Sequence, residues 1–160
     1  MRKGITLVVL TITLVIMIIL ISVVVISGSN IVDNTKIKRF GTEMYSVKSL
    51  TEEYEFMYGK YPLEDNVIEF DISSIDNEYK NQFEGENIVN NKISLYKIDY
   101  SKAGIRELNR GFGKLDKLDV YVYSKSTNKI YYLYGEEIDH FKYYTLTDEI
   151  YKEIGINEIN

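Results

Sequence analysis

The chain has no cysteine, which excludes disulfide scaffolds, thiolate metal sites and cysteine nucleophiles together. Histidine occurs once, as His140 between Asp139 and Phe141, where an exposed imidazole beside a carboxylate is the ordinary reading and no role is assigned. There is no G-x-S-x-G and no H-E-x-x-H, and Gly113-Lys114 lacks the earlier glycine and the Ser/Thr of a phosphate-binding loop, so neither an enzyme nor a catalytic residue is expected. Clustered positive charge is also scarce. Of 19 basic residues, Arg2 and Lys3 precede an apolar segment and leave 17 against 24 acidic ones, a poor surface for a phosphate backbone, so nucleic acid is not an expected partner.

What is present begins with 22 uncharged residues from Ile5 to Ile26. At 1.5 Å per residue they span roughly 33 Å, about the thickness of a bilayer hydrocarbon core. A secretory signal has a shorter apolar region and a small-residue cleavage box, which Ser27-Gly28-Ser29-Asn30 matches poorly. A membrane-spanning helix over 5–27 in contact with lipid is therefore expected, and Thr6, Thr11, Thr13 and Ser22 are expected to bond carbonyls one turn back. Arg2 and Lys3 on one side face Lys36, Lys38 and Arg39 on the other, so charge alone does not orient the span.

The residues before this run are Met1-Arg2-Lys3-Gly4, and the run opens Ile5-Thr6-Leu7. A basic leader ending in glycine, followed by an apolar residue, Thr, Leu and a long helix, resembles the signal of type IV pilins and the related pseudopilins over about the first 60 residues. The resemblance implies removal of residues 1–4 by a prepilin peptidase between Gly4 and Ile5, N-methylation of Ile5, and assembly with other pilin-like subunits through the N-terminal helix. It also places the head outside the cell: a single-pass membrane protein before assembly and a surface filament after it. Most family members carry glutamate at the fifth residue after the cut, where this chain has Val9. The opening KGITL without that glutamate is similar to pilin-like proteins of low-GC Gram-positive bacteria. A plain membrane anchor with a coincidental glycine is the competing reading.

Ser27-Gly28-Ser29-Asn30 favours a break or joint. Apolar residues then recur at Ile37, Phe40, Met44, Val47, Leu50, Tyr54 and Met57, a helical stripe. The opposite face is assigned Lys38, Glu43, Lys48, Glu52 and Glu55. This amphipathic continuation, 28–58, stops near Gly59, with Tyr61-Pro62 leading out extended. About three heptads with aromatic core positions make packing on the chain's own head more favourable than a coiled coil.

In the head, 59–160, Glu64-Asp65-Asn66 reads as a loop, Val67–Phe70 as a short extended stretch and Ser73–Glu84 as polar with a short helix. Ile93–Tyr100 alternates as a strand, and 101–108 forms a turn or loop. Leu118–Tyr123 and Ile130–Tyr134 make a hairpin through Ser124–Lys129, and Tyr143-Tyr144-Thr145 adds a strand. Thr147 caps a last helix over Asp148–Ile154, with Leu146 stapling to Tyr151. The expected class is α+β: a long N-terminal helix with a small antiparallel sheet packed on its second half. Asp116, Asp119, Glu136, Glu137 and Asp139 follow no calcium-loop spacing and read as solvated charges, so no metal and no cofactor are expected. Seven tyrosines (121, 123, 131, 132, 134, 143 and 144) read as half core and half wet face, or as an adhesive surface.

The function implied is a non-enzymatic pilin-like subunit of a type IV pilus-like or type II secretion-like filament serving secretion, DNA uptake, adhesion or motility. Val9 points to a minor, initiating or capping position, or to a branch that assembles without the glutamate. The alternative is a monomeric membrane-anchored binding module that uses its tyrosine-rich sheet.

Overall fold

The computed structural model describes the backbone of residues 2–156 and, within it, the side chains of residues 10–18 and 32–156. The chain divides into two compact units, residues 1–36 and 37–160. Helix α1, Arg2–Tyr58, is assigned without interruption across Ser27-Gly28-Ser29-Asn30.

In the first unit, Leu14, Val15, Ile16, Met17 and Ile18 are each half exposed or more. Five successive residues point in every direction around a helix, so the exposed surface of this segment is apolar all round. Thr13 Oγ1 donates to the Leu10 carbonyl at 2.9 Å, the local bond expected of a threonine with no other partner. Among the described residues no helix is long and apolar enough to cross a membrane. Of the expected span 5–27, the side chains at 5–9 and 19–27 lie outside the described residues.

In the second unit the last turns of α1 pack on a four-stranded antiparallel sheet. Its strands are β1 (Leu63–Asp71), β2 (Lys92–Ile98), β3 (Tyr121–Tyr123) and β4 (Ile130–Tyr132), neighbours in that order. A second, two-stranded sheet joins β5 (Glu136–Ile138) to β6 (Phe141–Tyr143), and α2 (Asp148–Glu153) closes the fold. The class is α+β, as the residue pattern implies.

Each strand of the β3–β4 hairpin is buried at every position, because both faces of the sheet are covered. Side chains alternate across a strand. Tyr121, Tyr123, Ile130 and Tyr132 therefore meet Ile37, Phe40, Met44 and Val47 of α1 on one face. On the other, Val122, Tyr131 and Leu133 meet Phe70, Ile72 and Phe83. The second cover is a 3-10 segment, Asn77–Phe83, whose Phe83 ring stacks on Tyr131 at 4.9 Å. Strand β2 feeds both layers, Ile93 and Leu95 into one and Ile98 into the other.

Several expectations are corrected. Glu64–Asn66 are not a loop but part of β1, with a register shift against β2 between Leu63 and Val67 that absorbs the polar residues as a bulge. Of the strand expected at Tyr143–Thr145, only Tyr143 lies within one, as the last residue of β6. β6 pairs with β5, through a tight turn at Asp139 and His140, both with positive φ. Such residues suit a two-residue hairpin turn. Tyr144 then continues along β4, its carbonyl accepting from Tyr132 N at 2.8 Å. The stripe on α1 holds for Ile37 to Val47, but Met57 is 58% exposed, because the helix outruns the sheet it lies on.

Helix α1 stops where expected: Gly59 takes φ +67 and its N–H bonds the Glu55 carbonyl at 2.7 Å, a left-handed C-terminal stop. Thr147 caps α2 by accepting from Ile150 N. Helix α2 sits against α1 at Gly41, where a Cβ would meet Ile150 Cγ2 and, at 2.9 Å, Ile154 Cγ2. Alanine gains up to about 1 kcal/mol over glycine in helix propensity, whereas forcing a methyl into a packed contact costs about 1–3 kcal/mol. Gly41→Ala is expected to destabilise the protein by about 1 kcal/mol in chemical denaturation, and a stabilised variant would show that α2 is free to shift.

Candidate functional site

Of the residues that the pilin resemblance singles out, Ile5 and Val9 have side chains outside the described residues and Gly4 has none. In the second unit, the densest polar constellation lies where a loop, residues 109–119, is pinned between α1 and the sheet. Glu43 was assigned to the polar face of α1, yet it is buried. It lies three residues after Phe40 and four before Val47, on the apolar stripe itself. A carboxylate at a stripe position is the sequence signal that was passed over.

The Glu43 carboxylate accepts from Asn109 N at 3.0 Å, Asn109 Nδ2 at 2.7 Å, Arg110 N at 3.2 Å and the Tyr121 hydroxyl at 2.9 Å. Arg110 stands beside it, Nη1 3.6 Å from Glu43 Oε2. Its other edge forks onto Glu136 at 2.9 and 2.7 Å in the bidentate geometry that suits guanidinium and carboxylate. Burial alone would lower the Arg110 pKa, but Glu136 and Glu43 more than reverse this and hold it charged. Burial and the adjoining Glu43 push the Tyr121 hydroxyl up, so it stays a proton donor.

Asp119 is the second anchor and is 1% exposed. It accepts from Gly111 N at 2.6 Å, Lys114 N at 2.8 Å, Leu115 N at 3.2 Å and the Tyr132 hydroxyl at 2.9 Å. Its position in phase with Tyr121 and Tyr123 turns it to the α1 side of the sheet. Tyr100 completes the pin, donating to the Gly111 carbonyl at 2.7 Å and accepting from Tyr121 N at 3.0 Å. Glu86 does the same for the β3–β4 turn, accepting from Ser124 at 2.6 Å, Ser126 at 2.5 Å, Tyr131 at 2.8 Å and Thr127.

These bonds correct two expectations. Asp119 is not a solvated charge, Glu136 is an ion-pair partner, and Asp116 caps Leu118 N at 3.0 Å. The acidic residues are thereby separated into different roles, and the described residues hold no cluster of three or more His, Cys, Asp or Glu fit for a metal. The tyrosines do not form an adhesive face: Tyr121, Tyr123, Tyr131, Tyr132, Tyr143 and Tyr144 are all buried, and of the seven only Tyr134 is exposed. The His140 carbonyl accepts from the Tyr79 hydroxyl at 3.4 Å and its imidazole faces outward.

Open clefts remain on the head. One of about 440 Å³ lies beside the pinned loop, between Ile68, Tyr100, Phe112 and Lys117. Two others flank Tyr96, whose ring carries the Lys125 ammonium at 3.8 Å. One of these is lined by Glu69, Lys92, Ser94 and Ser126, with the Ser94 hydroxyl donating to the Glu69 carboxylate at 3.1 Å. No family model, curated protein or solved structure matches the chain.

The anchors make the fold acid-sensitive. Burial raises the carboxyls of Glu86 and Asp119, but the hydrogen bonds they accept outweigh it, so both lie below their ordinary values of 4.5 and 3.8. A depressed pKa stabilises the folded state above the ordinary value, and that stability is lost as pH falls through the folded value. Stability is expected to be level near neutrality and to fall below about pH 4, with a flatter acid limb in the Glu86→Gln, Asp119→Asn double variant. Asp119→Ala should cost about 3 kcal/mol, because it orphans buried donors, and Asp116→Ala under about 1 kcal/mol, both read by denaturant unfolding.

Proposed function

We propose that this chain is a pilin-like, pseudopilin-type structural subunit. A prepilin peptidase processes it, the membrane holds it through residues 5–27 with the head on the extracellular side, and it is assembled with other pilin-like subunits into a type IV pilus-like or type II secretion-like filament. The observation that carries this is the Gly4–Ile5 junction, with a basic pair before it and 22 uncharged residues after it. A leader cut there leaves the apolar segment in place, as a filament subunit requires. Two features of the structure support the reading. The described part of the apolar segment is exposed and apolar all round, a surface suited to lipid or to neighbouring helices. The later turns of α1 lie under an antiparallel sheet, a plan suited to keeping a head on a helix.

The role is non-enzymatic, with no cofactor. The reading as a solitary anchored binding module loses its main support once the tyrosines are buried. It is recovered only if the N-terminus is uncut.

Intact-mass analysis of the membrane-extracted protein tests the proposal. The expected mass is that of a chain beginning at Ile5 and carrying one added methyl group, whereas a chain beginning at Met1, or near Asn30, would refute it. Val9 has its own consequence. In the family the missing glutamate neutralises a neighbour's N-terminal amine inside an apolar core, where an unpaired charge is costly. Either the subunit takes a minor position, is sparse beside other pilins in purified filaments and gains share on Val9→Glu, or this branch assembles without the pairing and the chain repeats as a major subunit. Abundance equal to a major subunit would remove the minor role.

A further inference from the structure

Two exposed apolar patches of opposite charge lie on the 37–160 unit. The first is the tip of the pinned loop, where Phe112, Leu115 and Leu118 are exposed, Leu115 at 66%, among Lys114 and Lys117. Its backbone is fixed by Asp119 and by the Asp116 cap, so these side chains are presented without an ordering cost at contact. Lys114 lies 5.6 Å over the Phe112 ring. Among the described residues neither lysine pairs with a carboxylate. The second patch is the end of α1, where Phe56 is 89% exposed beside exposed Met57 and Tyr58. Glu52 and Glu53 stand one turn before Phe56 and Met57, Glu55 adjoins them, and all three carboxylates lack an ion pair among the described residues. Contiguous exposed apolar residues with charged surroundings mark association surfaces.

We infer that the two patches are halves of one joint, the basic loop tip of one copy of this chain docking on the acidic end of α1 of a second copy. The occupant is a second copy because the complementary half is carried by the same chain. One chain cannot close the joint on itself: Glu43, which holds the base of the loop, precedes Glu55 by 12 residues, about 18 Å of helix. Like patches repel, lysines against lysines and glutamates against glutamates, so a two-fold dimer through either patch is disfavoured. Between copies aligned in parallel the two patches sit at different heights along α1, so a two-fold cannot pair them reciprocally; the joint is then heterologous, and such joints propagate into open arrays unless the rotation closes a ring. The free sheet edge is no competitor, since β1 carries Glu64, Asp65, Glu69 and Asp71 against the same strand of another copy. The inference deepens the filament reading and rests on it for the alignment of copies.

The absence of native cysteine allows a clean test in the full chain in membranes. A Phe56→Cys copy and a differently tagged Leu115→Cys copy are joined with a short bismaleimide. The expected result is a heterodimer from this pair, a ladder when both substitutions share one chain, and no product when Ile88→Cys replaces Phe56→Cys. Lys114→Glu with Lys117→Glu should lower the yield several-fold, and adding Glu52→Lys with Glu53→Lys should restore it, which a misfolded head would not allow. Equal yield from the Ile88 control, or a yield indifferent to charge reversal, overturns the joint. Intact mass on the same samples separates the two readings. A cut N-terminus without the 56–115 product leaves the filament and removes the joint, and the product on an uncut chain does the reverse.

Discussion

The buried carboxylate of Glu43 is the constraint on which the head depends. A charge placed under a helix is expensive to desolvate and is tolerated only when its lone pairs are filled. Here Asn109, Arg110 and Tyr121 fill them, so the helix, the 109–119 loop and strand β3 can coexist in one arrangement only. Arg110 carries the same constraint to Glu136 and thus to the second sheet. An apolar residue at position 43 would orphan the Tyr121 hydroxyl and the Asn109 and Arg110 N–H groups, so the carboxylate that is costly to bury is also costly to remove.

The tyrosines follow from that arrangement. A sheet whose β3 and β4 strands are three residues long has little area, and large aromatic rings on both faces make a core of it. Each ring ends in a hydroxyl that needs a partner, and the partners sit at the rim. Tyr121 reaches Glu43, Tyr132 reaches Asp119, Tyr131 reaches Glu86, Tyr123 reaches Asn128 and Tyr143 reaches Glu149. The same carboxylates hold the loops around the sheet. Abundant tyrosine therefore serves packing and loop fixation at once.

Rigid loops at the rim would matter in the proposed filament. A subunit that repeats must offer the same surface every time, and a loop tip held by backbone N–H bonds to Asp119 does so at low entropic cost. The end of α1, which outruns its sheet, supplies an opposite surface on the same body. In the proposed filament the apolar helix would bring subunits together and the heads would set their order.

The sequence by itself determined what local periodicity encodes: the uncharged run from Ile5 to Ile26, the stripe at Ile37, Phe40, Met44 and Val47, the stop at Gly59, the hairpin around Ser124–Lys129 and the Thr147 cap. Each is written in neighbours a few residues apart, where sterics and backbone hydrogen bonding act directly. The tertiary structure decided the rest. Position 43 lies on the apolar stripe by spacing, but only the arrival of residues 109, 110 and 121, more than sixty residues later in the chain, makes a carboxylate affordable there. Whether the second face of the sheet is wet or covered depended on Phe83 folding over Tyr131, a contact between distant segments with no trace in either one alone. Burial is a property of what comes to lie on top, and a side chain does not carry that information in its own neighbours.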